Sequence, residues 1–280
     1  TRNMSSAASD VYKRQPVTMA DASIAALVEE NGRVHIVELI DETLKIKGIG
    51  VFNPKRTVAD IAFGQEVQIG SKIFTHLPPR LPELVAGMKR RAQTIGSKDA
   101  GVLIARLGIG PGDVILEAGL GSGGQSMHLA RVLGESGHLI TVEPRQEHSE
   151  VGLENLKTLA NAVPKFPKHS HVHGRIESCV EEIQTLSNHI DAILLDLPDH
   201  SIAIEAVAPL LSVGGRLSCY CPVSSQLEHA WNACEEAGLE VEWAGEVIER
   251  EWGKASKGGV RPVNGPFGHT AFLLIAQRKA

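Results

Sequence analysis

The chain has 280 residues, 42% of them hydrophobic and 22% charged, with a formal net charge of -5. That balance is ordinary for a soluble globular protein; no apolar run is long enough to span a membrane, and no stretch reads as a secretory signal. An acidic total argues against a nucleic-acid partner unless positive charge is gathered locally.

The length suits one large domain with a small one. Residues 1–15 look unlike the rest. Asp10-Val11-Tyr12-Lys13-Arg14-Gln15 reads as the translation of a sequencing-library adapter, which leaves the native start near Met19 or outside this sequence. Residues 16–80 are expected to form a small β-rich domain. Between 30 and 80 the apolar residues alternate with period two, in runs around Val34–Leu39, Leu44–Val51 and Val67–Phe74, broken by Gly48, Gly50, Pro54, Gly64 and Gly70. Leu77-Pro78-Pro79-Arg80-Leu81-Pro82 reads as an extended linker, because proline fixes φ and lacks a donor.

From 81 to 280 helical and strand periods alternate. Helices are expected at 99–107, 125–133, 149–160, 177–186, 202–211 and 226–237, and strands at 114–118, 139–143, 171–173, 190–196 and 216–221. Two last strands, 239–247 and 270–276, have no helix between them. Repeated β-α units imply a parallel sheet with right-handed crossovers. The closing pair adds an antiparallel strand at one edge. This is the Rossmann-like sheet of class I methyltransferases.

The chemistry centres on Val114-Ile115-Leu116-Glu117-Ala118-Gly119-Leu120-Gly121-Ser122-Gly123-Gly124. A buried strand runs into a glycine-rich turn and then a helix start, so backbone amides are left free to cradle a ligand. A lone glycine fingerprint serves several nucleotide cofactors. Glu117 favours S-adenosylmethionine over a dinucleotide, because a cationic methionine end gains from an acid there and a pyrophosphate does not. Ligands of such sheets lie beyond the carboxyl ends of the strands. Glu143 ends the second strand, 24 residues after Gly119, and is placed to hold ribose hydroxyls. Asp196 ends the fourth and would lie between cofactor and substrate; Asp199 or Ser201 is nearer for capping the helix that follows. His169, His171 and His173 share one strand face, yet lack a supporting carboxylate or cysteine, so they read as rim or RNA-facing groups and no metal is expected. Cys179, Cys219, Cys221 and Cys234 lack paired spacing and read as reduced thiols of a cytoplasmic protein.

Basic residues cluster at Lys89, Arg90, Arg91 and Lys98, around Lys165 and Lys168, and at Arg250, Lys254, Lys257 and Arg261. Each cluster alone reads as solvated surface.

These residues together resemble the tRNA (adenine-N1)-methyltransferases that modify the T-loop adenine at position 58. The likeness rests on Pro111-Gly112-Asp113 through Gly124, on Leu195-Asp196-Leu197-Pro198, and on a tail signature, Val260-Arg261-Pro262 with Gly268-His269-Thr270-Ala271-Phe272-Leu273. It implies that Gly119, Gly121, Ser122, Gly123, Gly124 and Gln125 hold the methionine part of S-adenosylmethionine, that Glu143 binds ribose with His148 near it, and that Arg175 and Ile176 flank the adenine under a cover from Ile95. It implies Asp196 as the catalytic carboxylate and Arg90, Arg91, Lys98, Arg261 and His269 as tRNA contacts. It also implies a homotetramer whose subunits pool their basic patches. The chain departs from the family at Gly96-Ser97, where Tyr-Pro is usual, and at His200-Ser201, where Pro-Trp is usual; the first removes an aromatic wall of the pocket. The alternatives are a methyltransferase of protein or small molecules, and a silent tRNA-binding subunit.

Overall fold

In the computed structural model the described residues are 23–254, 258–263 and 268–280. The adapter-like segment and Lys257 lie outside them. The chain divides into two units, Thr1–Gly87 and Met88–Ala280.

The first unit carries strands β1 (Ile24–Val28), β2 (Val34–Glu38), β3 (Leu44–Ile46), β4 (Gly50–Phe52), β5 (Glu66–Ile69) and β6 (Lys72–Leu77). Four form an antiparallel sheet in the order β2-β1-β6-β5, and β3 pairs with β4. Leu27, Val37, Phe52, Val58, Val67 and Phe74 form its core. The alternating runs fall on strands as expected. β1, however, has no alternation to find: it is an inner strand, and four of its five residues are buried. Helix α1 (Pro54–Val58) starts where Asn53 accepts from the Arg56 amide at 3.0 Å, with proline at the first helical position. The expected linker is shorter than read. Leu81 and Pro82 open helix α2 (Leu81–Gly87), where the missing proline donor costs nothing.

The second unit holds α3 (Ser97–Leu107), β7 (Val114–Ala118), α4 (Gly124–Leu133), β8 (His138–Glu143), α5 (Gln146–Ala162), β9 (Lys168–His173), α6 (Val180–Leu186), β10 (Ile190–Leu195), α7 (Ser201–Val207), β11 (Leu211–Cys221), α8 (Ser224–Glu236), β12 (Glu240–Gly245), β13 (Trp252–Lys254), β14 (Val260–Pro262) and β15 (Phe272–Gln277). Seven strands form one sheet in the order β12-β15-β11-β10-β7-β8-β9. Only β15 runs antiparallel to its neighbours, and it lies between β11 and β12 instead of at the edge. β7 and β10 are buried almost throughout because helices cover both faces.

Three boundaries differ from expectation for local reasons. Pro209 cannot continue an α-helix, so α7 stops at Val207 and a 3-10 turn, Ala208–Leu210, follows. Another such turn, Ile176–Ser178, precedes α6. β11 begins at Leu211 and passes through Gly214-Gly215 with a register shift against β10. The β13–β14 ribbon was not anticipated; Trp252 faces Pro262 across it, and Trp252 and Val260 are exposed. No helix among the described residues is long and apolar enough to cross a membrane.

Candidate active site

Three strand tips meet. β7 lies between β8 and β10, so Gly119, Glu143 and Asp196 leave neighbouring strands on the same side of the sheet. The backbone joins two of them: the Asp196 amide donates to Ala118 O at 2.6 Å, and the Gly119 amide donates to Asp196 O at 3.3 Å. Glu143 reaches under the turn, where its Oε2 accepts from the Gly121 amide at 3.0 Å. A Cβ on Gly119 would stand 3.0 Å from that same oxygen, so glycine leaves room for the carboxylate. Gly123 has φ +79, and a Cβ there would meet Gly152 O at 3.1 Å; only glycine takes this turn so close to α5. Gly124 opens α4 against Thr94.

A second layer holds the turn. The Ser122 hydroxyl accepts from the Arg91 and Ala92 amides at 3.0 and 2.9 Å, so this side chain clamps the 89–95 segment. Asn155 of α5 accepts from the Lys89 amide at 3.0 Å and donates to Lys89 O and Ser122 O at 2.8 and 2.9 Å. The sequence reading did not single out Asn155. A polar residue of low helix propensity inside a long helix was the available signal.

The electrostatics separate the three acids. Glu117 is buried and accepts from the Ser126 hydroxyl at 2.5 Å; burial and then the charge of Asp196 push it up to about 8. Asp196 sits at the mouth with one side open to solvent. Protein packed against its other side raises it to about 6, despite the attraction of Arg145. For Glu143 burial acts upward, but hydrogen bonds from the Arg145 side chain and from the Gly121 and Arg145 amides hold it below the usual range. Beside Glu117 and Asp196 is a small cavity of about 10 Å³, which Ile95, Leu103, Gln125, Leu195 and Tyr220 also line. Both polar atoms of the Gln125 amide are buried without a partner among the described residues. Buried amide groups seek partners. This orphaned amide, beside a glycine turn, fits the carboxylate and ammonium of a methionine moiety; Glu117, largely protonated at pH 7, brings a hydrogen-bonding carboxyl there and not the anion expected for a cationic end.

The remaining expected residues are scattered in circumstance. Ile95 and Ile176 are buried. The His148 Nδ1 is buried without a partner among the described residues. Arg175 is exposed and paired with Glu177 at 2.5 Å. Arg90, Arg91 and Arg261 are exposed. Lys98 is turned inward: its ammonium meets Asp99 at 3.0 Å, Thr270 Oγ1 at 2.8 Å and Val247 O. His269 bridges Glu246 at 2.7 Å and Pro222 O at 3.0 Å, and the Glu246 bond raises its pKa. His169 and His171 do not face outward as rim groups; both rings bond the buried Thr141 hydroxyl, at 2.9 and 3.0 Å. Burial lowers His169 to about 4, so it is neutral at pH 7. Among the described residues no group of His, Cys, Asp and Glu is arranged to hold a metal ion.

The family pattern described as "tRNA methyltransferase complex GCD14 subunit" matches residues 73–258. The chain is 28% identical over 276 residues to the tRNA (adenine(57)-N(1)/adenine(58)-N(1))-methyltransferase TrmI of Methanocaldococcus jannaschii, covering 90% of this chain and 93% of that one. It is 31% identical over 210 residues to the tRNA (adenine(58)-N(1))-methyltransferase TrmI of Thermus thermophilus, covering 75% and 78%. Among solved structures, an S-adenosylmethionine-dependent O-methyltransferase from Thermotoga maritima superposes with a TM-score of 0.75 at 24% identity, over 93% of this chain and 94% of that one. The tRNA (m1A58) methyltransferase TrmI of Aquifex aeolicus gives 0.66 at 20%, over 92% and 97%.

Proposed function

The chain belongs to the family of tRNA methyltransferase complex GCD14 subunits, and from that premise we propose that it methylates N1 of adenine 58 in the tRNA T-loop, as its relatives are named for doing. It is an S-adenosylmethionine-dependent methyltransferase. Adenine 57, named in the archaeal relative's activity, is a second target for the same test. The observation that carries the reading is the meeting of Glu143, the glycine turn and Asp196 at adjacent strand tips, with the Gln125 amide beside them.

S-adenosylmethionine supplies a methyl group on a cationic sulfur. The chain's residues do the rest. Gln125 and the Gly121–Gly124 turn would hold the methionine end, and Glu143 would take the ribose with His148 near it. Ile176 and Arg175 border the adenine ring, and Ile95 covers the pocket. The target base must leave the RNA stack to enter. Its N1 already carries a lone pair, so no strong base is needed. Asp196 accepts a hydrogen bond from the exocyclic amine and stabilises the positive charge that develops on the ring. Holding the base close to the bound donor would supply most of the acceleration. Arg90, Arg91 and Arg261 are the exposed cations for tRNA phosphates. His269 is a further contact. Lys98 acts from within, by holding the start of α3 to Thr270.

The family likeness implies a cytoplasmic homotetramer, and the exposed Trp252, Val260 and Val263 around the β13–β14 ribbon are apolar surface that a further copy of the chain would cover. The direct test is incubation with labelled S-adenosylmethionine and unmodified tRNA transcript. We expect 1-methyladenosine at position 58. Label in protein or small molecules with none in tRNA, or tight tRNA binding without transfer, would overturn the reading.

A further inference from the structure

Glu143 already has its acceptor capacity filled. A carboxylate offers roughly four lone-pair sites. Here Oε1 accepts from the Arg145 amide at 3.1 Å and from Arg145 Nε at 2.7 Å. Oε2 accepts from the Gly121 amide at 3.0 Å and from Arg145 Nη2 at 3.1 Å. A ribose diol brings two O–H donors, and each needs one of these places.

The four present donors are not equally movable. Gly121 N belongs to the glycine turn, and Arg145 N to the residue that precedes α5, so both are fixed by backbone. The guanidinium is carried by a long side chain that is 54% exposed, whereas the Glu143 side chain is at 0%. Glu147 and Asp196 also attract that guanidinium, so an arm that swings off Glu143 finds acidic neighbours.

We infer that the Arg145 side chain is a latch on Glu143: its fork holds the carboxylate ready, and it must swing out before the 2′,3′-diol of a nucleoside cofactor can be accepted. Arg145 is then a positioning residue that sets how fast and how tightly diol-bearing ligands enter. This rests on the cofactor reading above only in taking the ligand to be a nucleoside.

The test compares the wild type with Arg145→Met, which keeps the aliphatic stem, and Arg145→Lys, whose single ammonium cannot fork. Affinity is measured by calorimetry and association rate by stopped-flow fluorescence, for S-adenosylhomocysteine and for its 2′,3′-dideoxy analogue. Melting curves establish that each variant is folded, and Arg145→Lys serves alone if Arg145→Met is not. The latch predicts about three- to fivefold tighter S-adenosylhomocysteine binding by Arg145→Met, the range of a half-exposed ion pair, with the gain in the association rate. Arg145→Lys lies between, and the dideoxy analogue binds all three proteins equally. Unchanged or weaker S-adenosylhomocysteine binding by the variants overturns the latch, as does an equal gain for the analogue. Failure of wild type and variants alike to bind S-adenosylhomocysteine overturns the cofactor reading itself, a distinct outcome.

Discussion

Two carboxyls near the turn titrate at different places, and each has a measurable consequence. Asp196 is raised to about 6, and in the proposed mechanism it works as a carboxylate that accepts from the base. Single-turnover rate should therefore rise with pH through about 6 and level off above it. Asp196→Ala should slow turnover about a hundredfold or more, the scale for a group that stabilises transition-state charge, while S-adenosylhomocysteine affinity stays within a few-fold; a fully active variant removes Asp196 from its role. Glu117 lies at about 8, above its ordinary 4.5, so the folded chain keeps a proton that the unfolded chain releases. Its contribution to stability is complete below about pH 4.5 and is lost as pH rises toward 8, by up to about 1.4 kcal/mol per pH unit. Glu117→Gln keeps an acceptor for Ser126 and removes the titration. Melts of the cofactor-free protein at pH 5 and pH 8 should show a smaller fall for this variant than for wild type.

α5 is the element that holds the glycine turn in place. Asn155 makes three hydrogen bonds to backbone groups of Lys89 and Ser122, and Gly152 lets the turn lie against the helix. Asn155→Ala strands those backbone groups and should cost about 2–4 kcal/mol in denaturant unfolding. Gly152 leaves no room for a side chain, since a Cβ would stand 2.6 Å from Leu120 Cγ and 2.9 Å from Gly121 O. Gly152→Val should therefore weaken S-adenosylhomocysteine binding by distorting the turn, even at temperatures where the variant remains folded. Calorimetry at a temperature below its melting point checks this. The start of α3 is held in a comparable way, through Asp99, Thr270 and Lys98.

The whole molecule carries a net charge of -5, and the proposed function requires it to bind a polyanion. Local cations are few and partly neutralised, as Lys89 is by Glu154 and Lys165 by Glu135 at 3.0 Å. Removing Arg90, Arg91 or Arg261 should each lower the salt slope of tRNA binding by about 1, measured by filter binding across ionic strengths. If copies of the chain pool these charges, Trp252→Ser with Val260→Ser should lower the mass seen by light scattering and weaken tRNA binding together. An unchanged mass would remove the ribbon from any interface.

Some of this was legible in the residues alone. The glycine turn, the alternation of strand and helix, and the acids at strand ends depend on sterics and periodicity within a few neighbours, so Gly119–Gly124, Glu143 and Asp196 could be named from the sequence. β1 was not among them: its five residues are all apolar, a run that suits a buried strand or a buried helix segment alike, and no glycine turn follows it as one follows β7. Nor were the place of β15 inside the sheet, the inward turn of Lys98, or Arg145 on Glu143. Those depend on which donor meets which acceptor after the chain has packed, as when Thr270 reaches Asp99 across 171 residues. Sequence period determines which face an element buries; register and packing between distant elements decide what each buried polar group finds there.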